Sequence, residues 1–377
     1  MNIEIKDYIK KNAADVFDII KELCGIPAPS HFEHKRAEFC KNWLEGIGAA
    51  GVYIDDALNV VFPLNCDSSD EITVFVAHTD TVFPDTKPMP YFDDGEKIHS
   101  PGVADDTTSV VVLLMTAKFF VENKVVPSKG VMFVCNSCEE GLGNLKGTRQ
   151  LFEEYKGRIG RFISFDSNLN VVADRCVGSH RYEVEVLTEG GHSYGAFGNN
   201  NAIEKLSSII TEIYKIEVPQ KTGTRTTYNV GTILGGTSIN TIAQNAKMLC
   251  EYRSDDRECL EIMRNKFEAI FEAARSEKVQ INIKKVGDRP CSNIESGKVE
   301  ELKSVVVPVI EAVIGKNVSF ASSSTDCNIP LSLGVPAICV GTNMHKGVHT
   351  REEWVDKASI ISGLEVAIRI SLALAEE

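Results

Sequence analysis

The chain is short of positive charge and has no long apolar run. Lys and Arg total 40 against 53 Asp and Glu, a formal net charge of −13. No basic block breaks this balance, which argues against nucleic acid or an anionic membrane surface as a partner. The longest uninterrupted apolar run, Val110 to Met115, falls well below the ~20 residues that cross a bilayer. The opening MNIEIKDYIKKN has neither the basic nor the apolar region of a secretory leader. An even set of cysteines is missing too. The 11 present are spread through apolar segments, which fits reduced, buried thiols in a cytoplasmic protein and not a disulfide framework. Cys135 and Cys138 form a C-x-x-C with no second pair at zinc-ribbon spacing. Internal repeats and low-complexity segments are absent. At 377 residues and 43% hydrophobic, a globular chain of two domains is expected.

What is present is a set of four apolar runs, each leading to a metal-binding residue type. ITVFVA runs into His78-Thr79-Asp80, VMFVC towards Glu139-Glu140, FISF into Asp166, and PAICVG towards His349. Val, Ile and Phe without alternation mark strands buried on both faces, and such strands offer functional groups at their carboxyl ends. Helix and strand alternate from Met1 to about Val177, with helices around Asp15 to Cys24 and Glu33 to Leu44, which predicts an α/β fold: a mostly parallel sheet with helices on both faces.

From about Gly178 the texture changes. Tyr182, Val184 and Val186 alternate with Glu183 and Glu185, and two helical stripes and three further strands follow up to Asp288. The order β-α-β-β-α-β predicts an inserted ferredoxin-like α+β domain. Beyond it, Val299 to Ile314 is helical with a kink at Pro308, PAICVG is a strand, and Ile360 to Ala375 is an amphipathic helix. The expected domains are 1–177 and 289–377 for the two parts of a metal-binding catalytic domain, and 178–288 for an inserted lid or dimerisation domain.

The donor types indicate the chemistry. His78 and Asp80 share one side of an extended segment, so Asp80 can orient the imidazole; a polar strand terminus is the competing explanation. PGVADDTT precedes a helix, where one Asp suffices as a cap and the other is free to bridge two cations. Of the adjacent Glu139 and Glu140, one can bind metal while the other takes a proton from water; a solvated acidic pair is the alternative. Two imidazoles and at least three carboxylates without thiolate suit Zn²⁺, with Co²⁺ or Mn²⁺ as substitutes, and outnumber what a single tetrahedral ion uses.

Together these motifs resemble the di-zinc exopeptidase family that includes peptidase T, glutamate carboxypeptidase, succinyl-diaminopimelate desuccinylase and aminoacylase, over nearly the whole chain. The resemblance implies His78, Asp105, Glu140, Asp166 and His349 as ligands of two Zn²⁺ per subunit, with Asp105 in GVADD bridging and joined to Asp106 by a cis peptide. It implies Asp80 as the partner of His78 and Glu139 as general base for a metal-bound hydroxide. His192 in GGHSYGAF would stabilise the oxyanion in the partner subunit's site, which implies a homodimer through the inserted domain. Asn240 in GGTSINTIAQNA and Arg253 in CEYRSDD would contact substrate.

Two positions depart from the family pattern. Thr107-Thr108 stands where relatives carry a Lys and a small residue, and Glu251 replaces the Asp of D-x-R. GGTS lacks the Lys-Ser/Thr of a phosphate loop. The implied activity is cleavage of an amide bond in small peptides, in the manner of peptidase T. The alternatives are an N-acyl-amino-acid deacylase and a metal-binding scaffold without turnover.

Overall fold

A computed structural model describes residues 5–276 and 278–376. The first four residues of the segment inspected for a leader, and Glu277 and Glu377, lie outside the described residues. The chain divides into two compact units, Met1–Cys176 with Asn293–Glu377, and Val177–Ser292.

The first unit is built on an eight-stranded sheet in the order Tyr53–Ile54, Val60–Leu64, Gly130–Asn136, Ile72–His78, Ile159–Phe165, Ala337–Val340, Val171–Cys176 and Ser319–Ser323. The four strands Gly130–Asn136, Ile72–His78, Ile159–Phe165 and Ala337–Val340 are neighbours and mutually parallel. Ile72–His78 and Gly130–Asn136 are buried at every residue, as unalternating apolar runs require. Phe75 stacks against Phe133 at 5.5 Å and Phe165 at 6.1 Å, a row of rings across three strands that favours this neighbour order. Parallel pairing needs a crossover between strands, and the Thr108–Glu122 helix supplies the one from Ile72–His78 to Gly130–Asn136.

One helix differs clearly from expectation in where it starts. The first begins at Ile5, not Asp15, because Ile5, Ile9, Val16, Ile19, Ile20 and Leu23 continue one buried stripe. The Ser296–Ile314 helix runs through Pro308. The last helix, Lys357–Glu376, is one-sided as expected: Ala358, Ile361, Glu365, Arg369 and Leu372 form its less buried stripe and the remaining face is buried. It packs on the Ile5–Cys24, Thr108–Glu122 and Ser296–Ile314 helices. Its Gly363 sits against the Thr342 backbone, where a Cβ would lie 1.6 Å from the carbonyl oxygen. At 20 residues it is also apolar and long enough to cross a membrane; its polar interruptions hide this from a search for unbroken apolar runs, and here its apolar residues fill the core.

The second unit has the sheet order Thr226–Gly235, Asn245–Ser254, Gly178–Leu187, Gln280–Arg289, antiparallel throughout. The helices Ala202–Ile213 and Arg257–Ala273 start at the side-chain caps Asn201 and Asp256. Leu206, Ile209, Met263, Phe267 and Phe271 from these helices share a core with Val184, Val186, Met248 and Tyr252 from the sheet. Thr226–Gly235 is an edge strand, exposed from Gly231 to Gly235. A separate short pairing joins Gly191–His192 to Thr241–Ile242. All 11 cysteines are buried and outside disulfides.

Candidate metal centre

The parallel strands deliver their carboxyl ends to one edge. His78 closes its strand opposite Asn136, three residues before Glu139, and Asp166 follows the adjacent strand directly. Side-chain donors then meet in three groups, each within 4.8 Å: His78, Asp105 and Asp166; Asp105, Glu140 and His349; and His78, Glu139 and Glu140. Asp105 belongs to two of them. Its Oδ1 lies 3.0 Å from His78 Nε2 and its Oδ2 lies 3.1 Å from His349 Nε2, which is also 3.1 Å from Glu140 Oε1. One carboxylate thus turns each oxygen to a different imidazole, the disposition a bridging ligand needs. The Asp105–Asp106 peptide is cis.

The supports around these groups are more elaborate than the motifs implied. His78 Nδ1 is 3.0 Å from the backbone oxygen of Asp80 and 3.4 Å from its carboxylate. The main-chain oxygen is therefore the nearer partner, where the carboxylate was expected. The buried carboxylate instead accepts the amides of Glu139 at 3.0 Å and Glu140 at 2.9 Å, and the Ser30 hydroxyl at 2.6 Å. Asp80 thereby ties the His78 strand to the Glu139-Glu140 turn. Asp106 does not cap the following helix, which starts at Thr108 without a side-chain cap; its Oδ2 accepts the His78 amide at 3.0 Å.

Glu353, unremarked in the sequence, is fully buried and accepts the amides of Gly102 at 2.9 Å, Ala104 at 2.7 Å and Asp105 at 3.0 Å. Successive amides turned inward make an anion-binding concavity, and here they bind the Asp105 turn to the segment carrying His349. Its one trace in the sequence is its place four residues after His349.

Charge in the cluster is unevenly balanced. Burial opposes ionisation of Asp105, but hydrogen bonds from His349 and His78 hold its carboxyl well below the usual range. Burial also opposes a charged His78, which bonds to Asp105 and Asp80 nevertheless keep well above the ordinary histidine value. His349 is pushed up to about 10 by Asp105 and Glu140. Burial and then the Asp105 charge raise Glu140 to about 7 and move Asp166 well upward. The imidazoles and Asp105 thus each favour the other's charged form, while the carboxylates repel one another. A divalent cation relieves that repulsion and displaces the protons. Two ring nitrogens and three carboxylates, free of thiolate, fit Zn²⁺ chemistry.

The other expected residues lie in the second unit. His192 is exposed and pairs with Thr241 across the short ladder, and the Ser193 amide donates to the Asn240 carbonyl at 2.9 Å; His192 and Asn240 are therefore brought together. His192 Nδ1 accepts the amides of Tyr194 at 3.2 Å and Gly195 at 3.3 Å, which leaves the ring proton on Nε2 as an available donor. Arg253 is not part of that pairing. It stands on the Asn245–Ser254 strand with its fork on Glu251, at 2.7 and 3.1 Å.

Comparison with known proteins places this arrangement. A Peptidase M20 domain-containing protein of Schizosaccharomyces pombe is 26% identical over 274 residues, spanning 70% of this chain and 66% of that protein. The crystal structure of aminopeptidase PepT from Bacillus cereus superposes with a TM-score of 0.73 at 19% identity, covering 97% of this chain and 99% of that one. A dinuclear metal binding peptidase of the M20 family from Bacillus subtilis gives 0.63 at 16% identity, over 97% and 99%. Residues 74–373 match Peptidase family M20/M25/M40, a span that contains all five clustered ligand candidates, and the chain belongs to that family.

Proposed function

We propose that this protein is a di-zinc exopeptidase that hydrolyses an amide bond in small peptides, with Co²⁺ or Mn²⁺ able to replace Zn²⁺. The observation that carries this is that Asp105 turns one oxygen to His78 and the other to His349. His78, Asp105 and Asp166 would hold one ion, and Asp105, Glu140 and His349 the other. Bound there, the ions supply Lewis acidity and a water acidic enough to ionise near neutral pH.

The chain's own residues do the rest. Glu139, buried and within the same 4.8 Å group as His78 and Glu140, takes the proton of the attacking water and returns it to the leaving amine. Asp80 holds the backbone from which Glu139 projects. His192 of a second copy donates its Nε2 proton to the oxyanion. The homodimer forms through the inserted unit, whose edge strand exposes Ile233 and Leu234, apolar area and unpaired backbone of the kind a partner covers. Asn240 contacts substrate beside His192. Arg253 does so only by sharing its guanidinium with Glu251, so a substrate carboxylate competes for that fork. The buried thiols suit the reducing cytoplasm.

An N-acyl amino acid presents the same amide to the same groups. Metal-loaded dimer assayed on dipeptides, tripeptides, N-acetyl and N-succinyl amino acids decides between the two. Highest kcat/KM on a peptide is the expected result, preference for an N-acyl substrate makes the protein a deacylase, and no turnover on any member leaves a metal-binding scaffold.

A further inference from the structure

Arg36 heads the fully buried side chains by size, with 1% exposure, yet among the described residues no carboxylate forms an ion pair with it. An unpaired guanidinium in a core is costly unless its nitrogens are hydrogen-bonded, and all three of these are, over two places. Nε bonds the Ile26 carbonyl at 2.8 Å and one terminal nitrogen, Nη2, bonds the Leu23 carbonyl at 3.1 Å, closing the end of the Ile5–Cys24 helix, whose last carbonyls have no partner within the helix. The other, Nη1, bonds the Thr79 carbonyl and the Thr107 hydroxyl, both at 3.0 Å.

Thr79 separates His78 from Asp80, and Thr107 follows Asp105-Asp106. Arg36 thus reaches the main chain between His78 and Asp80 and the side chain just after Asp106, and bonds none of the clustered imidazoles or carboxylates. A guanidinium is planar and rigid, and bonds to two acceptors from one nitrogen fix their separation. Lys, a point charge on a flexible stem, cannot span all four acceptors.

We infer that Arg36 is a positioning residue for the metal centre, setting the spacing between His78 and Asp105 through Thr79 and Thr107. The inference rests on the assignment of those two residues as ligands. Partners that orient ligands in this way are worth about 10- to 100-fold in metal affinity.

The test measures Zn²⁺ affinity by competition with a chromophoric chelator, and thermal unfolding of metal-free protein, for wild type, Arg36→Lys, Thr107→Val and the double variant. Arg36→Lys should weaken Zn²⁺ binding by the folded protein at least about tenfold. Thr107→Val, which leaves Arg36 its three carbonyl partners, should weaken it several-fold, and should add nothing once Arg36 is Lys. A purely structural role would lower the unfolding temperature and leave the affinity of folded protein unchanged; that outcome, or strictly additive effects in the double variant, overturns the inference. Should Arg36→Lys fail to fold, Thr107→Val decides alone, wild-type affinity counting against. Wild-type protein that binds no Zn²⁺ would overturn the ligand assignment itself, and the inference with it.

Discussion

The two units treat their functional side chains in opposite ways. In the α/β unit His78 is 1% exposed, Asp80 0%, Glu139 4% and Glu140 5%, though the His349 side chain is 56% exposed, and the cluster is braced by main-chain bonds from segments far apart in sequence. In the inserted unit His192 is exposed and its ring is held by two neighbouring amides, and Arg253 by an acid two residues away on its own strand. A site that must gather several like charges has to be built by the fold, because each carboxylate would otherwise turn to water. A group that offers one hydrogen bond to a passing substrate needs only a rigid local turn. Substitutions of the metal ligands in the first unit should therefore disturb metal and stability together, whereas those of Glu139 and of the second unit's residues should change turnover.

Glu139 is the place where that contrast can fail most visibly. Glu139→Ala should lower kcat by about 10²- to 10⁴-fold while zinc content by atomic absorption stays at the wild-type level. Loss of metal would make Glu139 a ligand in place of a base. His192→Ala should lower kcat by about 10²- to 10³-fold with metal content and unfolding temperature unchanged. Because His192 is proposed to serve a second copy, mixing His192→Ala chains with Glu139→Ala chains and allowing exchange should recover activity that neither has alone; no recovery would confine His192 to its own subunit.

Metal removal probes the same contrast through stability. Dialysis against a chelator should withdraw about 3 kcal/mol for each of the two ions when the free ion had stood near 100 times its dissociation constant. The chevron or calorimetric transition assigned to the α/β unit should move, and that of the inserted unit should stay. Movement of both would show that the units unfold as one.

The smallest effect belongs to Asp288, which a hydrogen bond from His180, with help from Lys285, keeps below the usual aspartate range against partial burial. A depressed carboxyl stabilises the fold above its unfolded value and loses that contribution as pH falls through its folded one. With 41% of the side chain exposed, solvent screening limits the gain to under about 1 kcal/mol. Asp288→Asn should thus be slightly less stable than wild type at pH 6, with the gap closing below about pH 4; a gap that persists in acid would rule the carboxylate out as its source.

Much of the metal centre was legible residue by residue. His78, Glu139-Glu140 and Asp166 each follow an unalternating apolar run, and such a run states both that a strand is buried and where its carboxyl end lies. Asp105 was legible only with the family motif, since paired acids before a helix ordinarily act as caps, a role Asp106 turns out not to play. Glu353, Ser30 and Arg36 were not legible at all. A lone Glu, Ser or Arg has no periodicity, and what gives each its importance is a partner reached across the fold: Asp105 from Glu353, Asp80 from Ser30, Thr107 from Arg36. The last helix, by contrast, was legible, its one-sided pattern matching a buried face on which three helices close.

Donor type and hydrophobic period are properties of adjacent residues, and they alone determined that this chain carries buried strands ending in imidazoles and carboxylates, interrupted by a domain of different texture. Which strands lie side by side depends on pairings between distant segments, and that order decided that one carboxylate would face two imidazoles. The balance of burial against repulsion, and so the need for cations, exists only after those ends have met.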